Sequence, residues 1–427
     1  MVINRYLLCI NERYRIMQKL FLNGQILLSG QFWVVLILSF TSLKGQAQTN
    51  PLEEIMMGTS PKIKAIYKNL SEHELQISYI QIRRDSIGNP QFIPHKFQQA
   101  DSTYFYPAST VKLPVAILAL EKLERLQAQG IPIDKHTPFQ IIDPKDNNVL
   151  YATDSTHPNG SLTLGHLIKK IFVVSDNAAY NYLYDFLGKE TINKRLSDHG
   201  ITQTAIRHKF LLGADNENSW SYVFYSEDKD TLYHQKSTYS APLPVVDLVG
   251  QYKGNAYFAN GQKVNRPMDF SLKNWMSLSA QLDLVKRLFF PDLFAPQERF
   301  AISETNRQFL MEWMSKTPSN SQIPAYVTND EYYDGYGKFF VLGDTNAPLP
   351  ETLKIYNKVG YAYGTLTDVA YIVDKSNGIE FLLAATLLVN ENMTFNDNTY
   401  EFEAKGIPFL AELGRQIYQY EMRRGSK

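Results

Sequence analysis

The sequence predicts an α+β fold: an antiparallel sheet built from both ends of the chain, flanked by helices, with a mostly helical segment inserted between its halves. Three observations lead there. A pair of β-rich stretches joined by a turn lies near residues 74–97, three more lie near 353–389, and amphipathic helical patterns dominate between them. No internal repeat interrupts this order.

The N-terminus stands apart from that pattern. Phe32–Leu43 is an apolar run preceded by Arg13, Arg15 and Lys19 and followed by Gly45-Gln-Ala47, as in a secretory signal peptide. It falls short of the ~20 residues that span a bilayer. Residues 1–47 are therefore read as a signal peptide, with Met17 as a second candidate start and an uncleaved anchor as the alternative. The domain from 48 to 427 is expected in the periplasm or secreted, without a membrane span after cleavage. Cys9, the only cysteine, lies upstream of the run, so the mature chain has no thiol for a disulfide, a nucleophile or a metal ligand.

Pro51 to about Asn69 reads as one helix. Glu74–Arg83 is rich in β-formers, Asp85-Ser-Ile-Gly-Asn-Pro90 is a turn, and 91–97 returns as the second strand of a hairpin. A helix then starts close to Ser109, because Pro114 is tolerated only in a first turn, and it fades near Gly130. A loop-rich passage follows to about residue 163. Leu164, Leu167, Ile168, Ile171 and Phe172 share one helical face, and two further helices (178–187 and 190–198) end at Gly188 and Gly200. Residues 213–275, rich in Asp, Asn, Ser, Tyr and Gly, read as a long decorated loop region. Helical patterns resume from Ser277 and over 306–314. Strands follow over 353–360, 366–373 and 379–389, and a closing helix begins near Pro408.

Composition excludes several functions. Lys+Arg and Asp+Glu both number 43, which gives no basic surface for nucleic acid. The eight histidines are scattered without His-x-x-x-His or His-Glu-x-x-His spacing, so no metal centre is expected.

The chemistry is expected at Ser109, with Lys112 three residues on and within reach on the same helical face. A lysine at the start of a buried helix loses hydration and sits near backbone N–H groups. Both lower its pKa and suit it to act as a base towards the serine. Alone, the pair reads equally well as an N-cap serine and a surface lysine. Ser226-Glu-Asp-Lys229 repeats the spacing in an acidic loop without an apolar helix behind it.

Two further stretches change that balance: Ser175-Asp-Asn177 between two helices, and Lys358-Val-Gly360 at the end of a strand. With these three motifs in this order, the chain from about residue 52 resembles the penicillin-recognising serine hydrolases, in particular the class A β-lactamases. Only 213–275 matches poorly. The resemblance implies a three-layer α/β/α catalytic domain of the β-lactamase/transpeptidase kind. Its α/β part would cover about 48–113 and 300–427, and its helical part about 114–299. It implies Ser109 as the acylated nucleophile, Lys112 as its base, and Ser175 as the proton relay to the leaving nitrogen. Lys358 would attract a substrate carboxylate, and Asn177 would bind the substrate amide. The backbone N–H groups of Ser109 and Tyr361 would form the oxyanion hole, with Gly360 allowing a close approach. No cofactor is implied. The partner would be a small molecule, a β-lactam or peptidoglycan-like amide, and the protein a monomer.

Two departures from the family pattern carry weight. Val359 stands where the pattern has a carboxylate-binding hydroxyl, and Leu366 where some members have an arginine. The stretch Ile201–Leu212 also lacks the glutamate that activates the deacylating water, with Asp215 and Glu217 the nearest carboxylates. A DD-peptidase, an esterase or a β-lactam-binding domain that does not turn over are the alternatives to a lactamase.

Overall fold

In the computed structural model, which describes residues 50–425 apart from 212, 328 and 330, the first helical stretch is broken in two. Helices α1 (Pro51–Met56) and α2 (Pro61–Tyr67) each begin on a proline, which fits a first turn but cannot continue a preceding one. The single helix expected over 51–69 is thereby corrected, and a further short turn follows at Leu70–His73. Strands β1 (Gln76–Arg84) and β2 (Pro90–Phe97) form the expected hairpin. Its turn is closed by the Asp85 carboxylate, which accepts the N–H groups of Ile87 and Asn89.

Ala108–Val111 is a 3₁₀ turn leading into α3 (Lys112–Ala128), so the helix proper starts one turn after Ser109 and Pro114 lies in its first turn. The passage expected as loop up to residue 163 contains two strands, β3 (Phe139–Ile142) and β4 (Val149–Tyr151). The next three helices stand where periodicity placed them: α4 (Leu164–Val173), α5 (Asn177–Leu187) and α6 (Lys189–Asp198).

The reading of 213–275 as loop is also corrected. Strands β5 (Ser221–Tyr225) and β6 (Thr231–Gln235) join the first small pair in a four-stranded sheet of order β4-β3-β5-β6. Phe139, Tyr222 and Phe224 supply its aromatic core, with Phe186 of α5 against it. The Ser226–Lys229 spacing is simply the turn of the β5–β6 hairpin. Further on, Tyr252–Lys253 pairs with Met268–Asp269, and Ala256–Ala259 with Gln262–Val264.

Helices α7 (Leu278–Phe289) and α8 (Glu304–Ser315) precede three long strands, β7 (Leu353–Ala362), β8 (Thr365–Asp374) and β9 (Ile379–Leu388). Helix α9 (Ile407–Gly425) closes the chain. The main sheet has the order β7-β8-β9-β1-β2 and is antiparallel throughout. Pairing of Gln76 with Thr386 joins the two chain ends. One face packs Ile77, Phe381 and Leu383 against Leu52, Ile66, Leu410 and Leu413 of α1, α2 and α9. The other packs Val369, Leu382 and Ala384 against α7 and the inserted helices. The result is the α/β/α layering.

Among the described residues no helix is long and apolar enough to cross a membrane. The signal-peptide reading of residues 1–47 lies outside the described residues.

The sheet depends on its covered face. Phe381 is fully buried and meets Tyr79 edge-on. Phe381→Ala is expected to cost about 3–5 kcal/mol, read as a lowered urea midpoint with unchanged slope. A loss below about 1 kcal/mol would contradict this packing.

Candidate active site

Ser109 owes its position to a close contact between two backbones. A Cβ on Gly360 would stand 2.6 Å from Pro107 O, 2.7 Å from Ser109 N and 2.8 Å from Thr110 N. Only a glycine lets β7 run against the 3₁₀ turn, and the turn sets Ser109 at the strand's edge, half-buried. The structural reason for Gly360 is thus the close packing of two backbone segments. Ala108, just before the serine, has φ +46°, and Ser175 has φ +56°. Non-glycine residues in this left-handed region cost about 1–3 kcal/mol each, a strain typical of functional sites.

Two buried lysines converge on Ser175. Lys112, fully buried, donates to the Ser175 carbonyl, to Asn177 Oδ1 at 2.7 Å and to Ser175 Oγ at 3.3 Å. Lys358, 2% exposed, donates to Ser175 Oγ at 2.8 Å and to its neighbour's carbonyl, Val359 O, at 2.8 Å. None of these Lys112 bonds goes to Ser109, contrary to the direct pairing that the spacing predicts. The Lys112 ammonium is drawn across to the Ser175–Asn177 turn instead. Asp176 caps α5 by accepting the Ala179 N–H at 2.7 Å.

Burial removes the hydration of both ammonium groups. It holds Lys112 well below the ordinary lysine range, helped by the positive charge of Lys358 and opposed by Asp176. Lys358 is lowered to about 7 by burial, with Asp368 opposing and Lys338 adding to the shift. Ser175 Oγ thus lies between two amines whose burial favours the loss of a proton.

Val359 and Leu366 do not face this cluster. Both side chains are buried in the core beneath α9, Leu366 against Gly406. Tyr361 is exposed at the end of β7, and Asn177 is exposed at the start of α5.

The chain that follows α6 approaches Lys112 with a phenyl ring. The Phe210 centroid lies 5.2 Å from Lys112 Nζ, and the ring packs on Tyr180. The backbone there is fixed by side chains of α5: Tyr184 donates to Arg207 O, Tyr180 to His208 O, and Asn181 accepts the Phe210 N–H. Glu217 is engaged by Lys189 at 2.7 Å, and Asp215 accepts the backbone N–H groups of Glu217 and Asn218. Both nearby carboxylates therefore have structural partners.

Sequence reasoning missed two features. A cleft of about 540 Å³ is lined by Tyr106, Phe210, Leu272, Lys273 and Tyr363, so part of 213–275 borders the site. Behind Lys358, Lys338 donates to Asn357 Oδ1 at 2.7 Å and Asn357 Nδ2 donates to Asp368 Oδ1 at 2.8 Å. The available signal was Asp368, an acid in an otherwise buried strand.

The model of the beta-lactamase enzyme family matches residues 62–420. A search of curated proteins finds no match. Among solved structures the chain is similar to a beta-lactamase from Sphaerobacter thermophilus (14% identity, TM-score 0.46, 87% of this chain and 96% of that one). It is also similar to a beta-lactamase from Burkholderia ambifaria (16%, 0.46, 83% and 97%) and to PBP-A (14%, 0.47, 87% and 96%).

Gly360→Ala would push β7 off the Ser109 turn, since all three close atoms are backbone. A displacement of about 1 Å at a reacting group costs about 10²-fold. Hydrolysis of a chromogenic cephalosporin should fall at least that far, with the circular dichroism spectrum retained. Wild-type rates in the variant would refute the contact.

Proposed function

Because the chain belongs to the beta-lactamase enzyme family, we propose that it is an exported, class A-like serine hydrolase that forms an acyl-enzyme on Ser109 with a β-lactam or a related amide or ester. The observation that carries this reading is the convergence of Lys112 and Lys358 on Ser175 Oγ, at 3.3 and 2.8 Å.

Each group then has a step. Ser109 Oγ attacks the carbonyl carbon, and its proton passes to Lys112, whose burial favours the neutral amine. The carbonyl electrons move onto oxygen, where the N–H groups of Ser109 and Tyr361 receive the charge, about 3–4 kcal/mol per donor. When the oxygen electrons return, the C–N bond breaks and Ser175 gives its proton to the leaving nitrogen. Ser175 recovers a proton from Lys358 or from Lys112. Asn177 binds the substrate's amide side chain, and Lys358 attracts its carboxylate. The Val359 side chain points into the core beneath α9 and gives that anion no hydrogen bond, which leaves its recognition to Lys358. No cofactor takes part, and the enzyme acts as a monomer on a small molecule.

The second reading, a peptidase or β-lactam-binding protein with a long-lived acyl-enzyme, is favoured by Phe210. Where a water-activating carboxylate would approach Lys112, an apolar ring stands 5.2 Å away. Water still reaches the ester in the hydrolase, without a strong base to activate it.

Intact-mass measurement of the mature protein mixed with a penicillin tests both readings. A transient adduct with accumulating product supports the lactamase, and a persistent adduct the second reading. No adduct in the wild type, matching Ser109→Ala, would sink the acylation mechanism.

The lysines also give opposite pH trends. Lys112 gains basicity towards Ser109 as it deprotonates, whereas Lys358 loses its charge as pH rises through about 7. For a substrate bearing a carboxylate, kcat/KM should decline above about pH 7, about tenfold per unit once Lys358 is mostly neutral. A neutral ester should show no such decline. Identical profiles for the two substrates would remove Lys358 from anion binding.

A further inference from the structure

The charges near Lys358 extend behind the strand that carries it. Lys338, 1% exposed, belongs to the segment 334–342, and its ammonium donates to Met314 O at 2.6 Å and to Asn357 Oδ1 at 2.7 Å. Asn357 in turn donates to Asp368 Oδ1 at 2.8 Å and to Gly337 O at 3.0 Å. Asp368, fully buried, also accepts the Phe340 N–H at 3.1 Å. Every polar atom of the Asn357 amide is used, and only one orientation suits an ammonium on one side and a carboxylate on the other. Asn357 immediately precedes Lys358, and Asp368 lies opposite Val359 across the β7–β8 pair.

The charge balance is unusual. Lys112, Lys338 and Lys358 are all at most 2% exposed, and Asp368 is the carboxylate enclosed with them. The ionisable groups acting on this cluster are Lys112 on α3, Asp176 after Ser175, Asp368 on β8, and Lys338 with Asp334 on the segment 334–342. Asp368 favours the charged form of Lys358, and Lys338 opposes it. Burial pushes Asp368 itself up to about 6, so its anion, and the support it lends, strengthens as pH approaches neutrality.

We propose that Lys338 and Asp368, joined through the Asn357 amide, form a positioning network that fastens β7, in which the Asp368 carboxylate supports the charge of Lys358 for the substrate's anionic group against the like charge of Lys338. This rests on the reading of Lys358 as the anion-binding group.

The test uses two single substitutions with opposite electrostatic signs. Asp368→Asn removes the supporting anion and should move the Lys358 titration down by about one pH unit; Lys338→Met removes a like charge and should move it up by about as much. Both are read by ¹⁵N-lysine side-chain NMR of the full mature protein and by the alkaline limb of kcat/KM for a carboxylate-bearing substrate. The double variant Lys338→Met/Asp368→Asn leaves no unpaired buried charge in the network and should lie near the wild type. If Asp368→Asn fails to fold, Lys338→Met and the double variant decide. Shifts of the same sign, or slower turnover with an unmoved titration, would overturn the proposal. A wild type that forms no acyl-enzyme would overturn the acylation reading instead, while the NMR titration would still decide the network.

Discussion

The contact between Gly360 and the Ser109 turn is the constraint on which the rest of the site depends. It brings one strand of the main sheet against the start of α3, with no side chain between the two backbones. Everything else is referenced to that contact. Lys358 sits two residues upstream on the same strand, and Lys112 begins the helix on the other side. Both reach the Ser175 turn, which closes the triangle from the helical layer. Ala108 and Ser175, on two sides of this triangle, both hold left-handed conformations.

The site is also a desolvation device. Ammonium groups are costly to enclose, and each here is held by carbonyl, amide or hydroxyl oxygens and not by direct contact with a carboxylate. That choice of partners keeps the protons labile. A tight ion pair would hold Lys112 in its charged form. The one nearby enclosed acid, Asp368, acts at one remove through Asn357.

Much of the fold was legible in the sequence because long elements announce themselves by period. The helices over 164–198 and the three strands over 353–388 fall where their apolar spacing puts them. The motif residues were legible for a different reason: each stands at a turn or strand end whose local pattern is short and specific. What escaped was non-local. Strands β3 and β5 are brief, and their partners lie some eighty residues apart, so neither carries a signal by itself. Pro61 broke a helix that periodicity alone would have continued. Phe210 looked like one more apolar residue, because nothing in the sequence says which ring will face Lys112. The Lys338–Asn357–Asp368 network joins three separate segments and has no spacing to recognise.

The pairing of β1 with β9 has a consequence for how the molecule comes into being. Gln76 and Thr386 are neighbours in the finished sheet, yet about 300 residues of chain lie between them. Closing so long a loop is entropically costly and slow, and the central strands cannot pair before residues 379–388 have emerged. The sheet that carries β7, and with it the setting of the Ser109 turn, therefore cannot be completed before those residues are available. A chain cut short of residue 353 would hold Ser109 without the strand that packs against its turn.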